Sequence, residues 1–192
     1  MCELYNLQKL DIRGCRNLRE LPAGIGKLKN MSLLNGVTRS LKYMPIGISI
    51  LTSLRTLDKF AVGGGVDGGS TCRLECLKSF QLIRKCGIEG LSNVSHLDEA
   101  ERLELKNMEN LLHLYLWFKV VDMEDDEEED EDEGGEDEDE DVGYEEEEGG
   151  KVVDGEDKER RRKNEKDEQL LEALQPPLNV EKLWILFYGG NI

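Results

Sequence analysis

The 192-residue chain carries 42 acidic against 25 basic side chains, a formal net charge of −17. The excess is local: residues 122–168 hold 28 of the acids and 7 of the bases, so the remainder is mildly basic. No basic-then-apolar start is present and no run nears the roughly 18 apolar residues of a membrane span, which argues against a secretory leader or spanning helix and for a cytoplasmic chain.

From the N-terminus the apolar positions run Leu7, Leu10, Ile12, Cys15, Leu18, Leu21-Pro22, Ile25 and Leu28. Leu18, Leu21, Pro22, Gly24, Ile25 and Leu28 return as Leu41, Met44, Pro45, Gly47, Ile48 and Leu51, each 23 positions later. An offset between about 20 and 29 is that of a leucine-rich repeat, in which one short strand per repeat cannot bury its own apolar face and must stack on its neighbours. In the first strand, Leu7 to Ile12, alternation puts Leu7, Leu10 and Ile12 inward and Lys9, Asp11 and Arg13 outward. Cys15 stands where such repeats place Asn or Cys, and is expected to be a small buried side chain. Pro22 and Pro45 fix φ and lack an amide donor, so they set turns on the side away from the strands.

A second strand is expected near Met31–Leu34, and a third repeat begins at Leu51 with Leu54, Leu57, Phe60 and Val62 apolar. The segment 62–70 then interrupts it. Its glycines are followed by no Lys-Ser or Lys-Thr and lack dinucleotide-fingerprint spacing, so it reads as a surface loop. Leu74, Leu77, Phe80 and Ile83 fall at helical intervals ahead of a strand near Lys85–Glu89. Asp98 to Asn107 reads as a helix with Asp98 as cap or first-turn acid. Residues 111–118 alternate strongly, with Leu112, Leu114 and Leu116 inward and His113, Tyr115 and Trp117 outward.

From Asp122 to Glu148 there is no Lys or Arg. Like-charge repulsion and scarce apolar groups cannot offset the ordering entropy, so this insert is expected to be disordered. The basic stretch 158–166 reads as a solvated, self-neutralising linker. A helix of one to two turns follows over 167–177, stopped by Pro176-Pro177, and Leu178, Val180, Leu183 and Ile185 begin another strand that leaves Lys182, Trp184 and Leu186 outward.

Five cysteines, Cys2, Cys15, Cys72, Cys76 and Cys86, are odd in number and lack the spacing of a disulfide framework, as expected in a reducing compartment. Cys72 and Cys76 could share a helical face, but His96 and His113 are single and distant, so no metal site is expected. No nucleophile motif surrounds any cysteine, and the acidic tract lacks calcium-loop spacing. No enzyme activity, catalytic residue or cofactor is therefore expected. The candidate contact residues are those on the outer, concave strand face: Lys9, Asp11, Arg13, His113, Tyr115, Trp117, Lys182, Trp184 and Leu186. If the insert loops out, the last two strands become neighbours and Trp117 and Trp184 lie adjacent on one surface, a favoured kind of binding anchor.

The spelling LYNLQKLDIRGCRNLRELPAGIGKLKN, then RSLKYMPIGISILTSLRTLDKF, IEGLSNV, DEAERLELKNMENLLHLYLWF and LLEALQPPLNVEKLWI, resembles the repeat region of plant nucleotide-binding leucine-rich-repeat disease-resistance proteins of the coiled-coil class. The resemblance covers about residues 4–118 and 167–190. It implies repeats that recognise a pathogen effector, a host target or the receptor's own nucleotide-binding domain. The phosphate-binding loop and other nucleotide-site motifs of that family are not found in this sequence.

The expected fold is thus an α/β leucine-rich-repeat solenoid, a short curved arc with parallel strands on its concave face. Residues 1–121 form about four irregular repeats, 122–166 a disordered insert, and 167–192 a short helix plus a further, truncated repeat strand. The expected function is a protein-interaction module in plant defence, without nucleic-acid partners. Two alternatives stand beside it: an acidic-tract protein holding basic partners such as histones, and a receptor fragment with no function of its own.

Overall fold

A computed structural model of the chain describes residues 2–36, 41–63, 71–119 and 154–190, with side chains in the last stretch from Lys158 onward. Of the insert expected to be disordered, 122–166, residues 122–153 lie outside the described residues and 154–166 are helical, against that expectation; the expected loop over 62–70 lies outside them beyond Gly63.

The architecture is α/β. Strands β1 (Lys9–Asp11), β2 (Leu33–Asn35), β4 (Thr56–Ala61), β6 (Lys85–Glu89), β7 (His113–Trp117) and β8 (Lys182–Leu186) form a six-stranded sheet, every pair parallel and in chain order. Strands β3 (Met44–Pro45) and β5 (Thr71–Cys72) pair antiparallel in a small second sheet. Because the chain always returns to the same end, each new strand hangs on the one before it. The N–H groups of Ser32 and Leu33 both donate to the Gln8 carbonyl, those of Arg55 and Thr56 to Ser32, and those of Arg84 and Lys85 to Arg55. Leu112 and His113 donate to Arg84, and Glu181 and Lys182 to Leu112. Three residues before a strand, the side-chain amides of Asn30, Asn110 and Asn179 donate back to the carbonyls of Tyr5, Gln81 and Glu109.

One row of the sheet faces the core: Leu34, Leu57, Cys86 and Leu114 sit in successive strands, all buried. A second row adds Phe60, Ile88 and Leu116. Burying each such side chain fully contributes about 2 kcal/mol. The ends are less covered. Leu10 is half-buried, and Leu183 in β8 is 43% exposed where its neighbour Leu114 has no exposure at all.

Behind the sheet, Pro22 and Pro45 each start a five-residue 3-10 helix, Ala23–Lys27 and Ile46–Ile50, with φ of −63° and −70°. These helices stack so closely that a Cβ on Gly47 would lie 2.5 Å from the Ala23 carbonyl oxygen, and one on Gly26 would lie 2.7 Å from that of Gly47. Leu74, Leu77, Phe80 and Ile83 are buried as their spacing predicts, around a 3-10 helix Leu74–Ser79. Helix α1 (Leu97–Leu103) is shorter than the expected 98–107 because Glu104 takes φ 51°, and a 3-10 turn, Leu105–Asn107, completes the segment. Asp98 lies in the first turn, and His96 holds the cap position.

Three expectations need correction. Helix α2 runs Asp154–Leu174, not from 167 onward, so part of the stretch read as a linker is helical. Its sequence places opposite charges four apart, Glu159 and Lys163, and Arg161 and Glu165, a spacing that supports a helix. Its second half is anchored: Leu170 and Leu174 are buried, the Ser92 hydroxyl donates to buried Asp167 (3.0 Å), and Lys166 donates to the Ser92 carbonyl (2.9 Å). Cys15 is exposed, because β1 is an edge strand and no further described element covers it. Cys72 and Cys76 are joined by a disulfide, their Cα atoms 5.9 Å apart. Extended Arg73 turns the chain from β5 into the following 3-10 helix and brings the two sulfurs together.

Candidate functional site

The outer face of the sheet holds the candidate site. Alternation sends Tyr115 and Trp117 out of β7 while Leu114 and Leu116 enter the core, and the parallel register sets Tyr115 opposite Trp184 and Trp117 opposite Leu186. Tyr115 stacks on Trp184 with ring centroids 4.3 Å apart and planes 4° from parallel. It also stacks on Trp117 at 5.7 Å and 11°. The two tryptophans share one surface, as expected, and Tyr115 lies between them as the bridging ring.

Each ring has a lysine beside it. Lys59 Nζ lies 5.7 Å from the Trp117 ring centroid, Lys85 Nζ 5.2 Å from Tyr115 and Lys182 Nζ 6.0 Å from Trp184, distances at which an ammonium is attracted to the ring face. Two of these lysines are held from the next strand. Lys59 pairs with Glu89 at 2.8 Å, both nearly buried, and Lys85 pairs with Asp58 at 3.4 Å. The backbone makes room for this through a register slip in β4 between Leu57 and Phe60, opposite Gly87. A Cβ on Gly87 would meet the Asp58 carbonyl oxygen at 2.3 Å and Trp117 Cζ3 at 2.6 Å, so only glycine admits the ring there.

Of the expected contact residues, His113, Tyr115, Trp117, Lys182, Trp184 and Leu186 come together on β7 and β8. His113 Nε2 lies 3.7 Å from Glu181 Oε2, an ion pair when the imidazole is protonated. Lys9, Asp11 and Arg13 share the face but not the cluster. Four strand spacings separate β1 from β7, about 19 Å. At that end Arg13 pairs with Asp11 at 2.7 Å, and Asn35 donates to the same carboxylate. Arg13's hydrogen bonds hold the Asp11 carboxyl down at about 2.

Lys59, Asp58, Lys85, Gly87 and Glu89 were missed from the sequence. For Lys85, Gly87 and Glu89 the signal was present, since Cys86 and Ile88 alternate with them. The slip that places Asp58 and Lys59 has no sequence signature of its own.

Elsewhere, burial pushes the Cys86 thiol up to about 12, too high for a nucleophile at neutral pH. Among the described residues no group of three or more His, Cys, Asp or Glu side chains is gathered to hold a metal, and no helix is long and apolar enough to cross a membrane.

No protein-family model matches the chain. Its sequence is similar to the disease resistance RPP13-like protein 4 of Arabidopsis thaliana, 31% identical over 115 residues. That stretch covers 59% of this chain and 13% of the length of the relative.

Proposed function

We propose that the chain is a protein-interaction segment acting in plant defence, a leucine-rich-repeat arc that binds its partner through the outer face of β6, β7 and β8. The similarity to a plant disease-resistance protein supports the setting. The all-parallel sheet, built in chain order with one hydrogen-bonded step per strand, supports the arc. The observation that carries the binding face is the Trp117–Tyr115–Trp184 stack, large rings set on the solvent side of the sheet with Trp184 38% exposed. Buried anchors of this type supply most of the energy of a protein interface. A pathogen effector, a host target or a nucleotide-binding domain of the same receptor fits such a face equally. The segment binds and does not catalyse, in the cytoplasm.

Composition favours one rival: residues 122–148 hold no Lys or Arg and would attract a basic partner such as a histone. Salt and deletion separate the two. Binding through the ring face survives both 0.5 M-scale salt, where exposed charges are screened beyond roughly 4–5 Å, and removal of 122–148. Loss of partner binding on that deletion, with the ring face intact, transfers the function to the tract.

A further inference from the structure

Cys72 and Cys76 sit on elements held with unequal strength. Cys76 belongs to a 3-10 helix pinned by Leu74 and Leu77, both without exposure, and by the Ser79 hydroxyl donating to the Cys76 carbonyl at 2.8 Å. Cys72 belongs to β5, two residues long, whose sheet partner is the two-residue β3. One of those two β3 residues is Pro45, which has no N–H to give. The disulfide thus adds a covalent tie from β5 to that helix. It closes a ring of only five residues, which removes little freedom from the unfolded chain, so its effect is local.

Access is also provided. Cys72 lines a partly open cavity of about 120 Å³, together with Tyr43, Arg73, Ser95, His96 and Glu99. Cys76 is half-buried, within reach from solvent. Arg73, which lines that cavity beside Cys72, favours a thiolate there and is itself paired with Glu99 at 3.5 Å.

We propose that Cys72 and Cys76 form a reversible dithiol–disulfide site for small thiols of the glutathione class, and that its oxidation ties β5 to the 3-10 helix Leu74–Ser79 and so holds it in place beside β3 along the wall of the cavity. In reduction, an external thiolate attacks Cys76 Sγ, forms a mixed disulfide and expels Cys72 as a thiolate, which takes a proton. A second external thiol resolves the mixed disulfide, leaving two cysteine thiols and one external disulfide. Two electrons pass to the protein, and an external disulfide reverses the sequence. Cys86 does not compete, being buried beneath the sheet.

The test equilibrates the full chain with mixtures of reduced and oxidised glutathione, traps thiols by alkylation and reads each cysteine by peptide mass. Amide hydrogen exchange is followed in the same samples. Cys72 and Cys76 convert together as the mixture becomes reducing, and exchange at Met44 and residues 71–73 rises about tenfold or more while residues 113–117 keep their protection. A Cys72→Ser, Cys76→Ser variant shows the raised exchange in every mixture. The proposal is overturned if the bond persists in fully reduced glutathione while the protein stays folded. It is overturned equally if the bond is reduced without a change in exchange at β3 and β5. The wild-type measurement decides even where the double variant fails to fold.

Discussion

The two ends of the sheet share one plan beneath and differ above. Leu34 in β2 and Leu114 in β7 occupy the same inward row and are equally buried. On the outer face the N-terminal end carries Asp11, Asn35 and Arg13, polar groups joined through the Asp11 carboxylate, which accepts from both of the others. The C-terminal end carries Tyr115, Trp117 and Trp184 with a lysine at each ring. The inward row therefore sets the fold and the outward row sets what the fold can hold, so changes in the two rows should separate stability from binding.

The largest expected effect comes from Glu89→Ala. It strands Lys59 without its partner under Trp117 and costs about 4 kcal/mol of unfolding free energy in a denaturant titration, whereas replacing both with apolar residues is close to neutral. Leu114→Ala costs about 3 kcal/mol, and Leu183→Ala, in the same row but 43% exposed, less than half as much. Equal losses at the two positions would break the claim that cover by the following strand makes the difference. Gly87→Ala costs about 2 kcal/mol by overpacking against Asp58 and Trp117, and shifts tryptophan emission as the Trp117 ring is displaced.

The smallest effect separates the polar end. Asp11 titrates at about 2, below the ordinary carboxylate value of 3.8. The stabilisation it lends is present above that ordinary value and fades as pH falls through about 2. Arg13→Ala returns the Asp11 titration, followed by NMR, toward the ordinary range. No return would mean that Arg13 is not what holds it.

Much of this was legible in the sequence, for a physical reason. Alternation reports which face a strand residue takes, so Leu114 and Leu116 fell inward and Tyr115 and Trp117 outward before any coordinates. The recurring Leu21-Pro22 and Met44-Pro45 likewise marked turns, where the two 3-10 helices begin. The slip in β4 depended instead on a long-range contact, its pairing with β6. The early start of α2 rests on charge spacing of its own, in a run whose composition reads as a linker. The Cys72–Cys76 bond is local, and depended on how extended Arg73 sets β5 against the following 3-10 helix. Cys15 failed in the other direction: its position fits a buried residue only where another unit lies over it.

The central claim, that the ring face binds and the polar end does not, is tested most directly by comparing partner capture from challenged plant tissue by three full-length chains. These are the wild type, Trp117→Ala/Trp184→Ala, and Lys9→Ala/Asp11→Ala/Arg13→Ala, each first shown to keep native hydrogen-exchange protection across β6 and β7. Loss of an anchor pair worth 2 kcal/mol or more weakens binding about 30-fold, so the account predicts that the tryptophan variant loses its specific partner. The β1 variant should retain it. Full partner binding by the folded tryptophan variant would contradict the account.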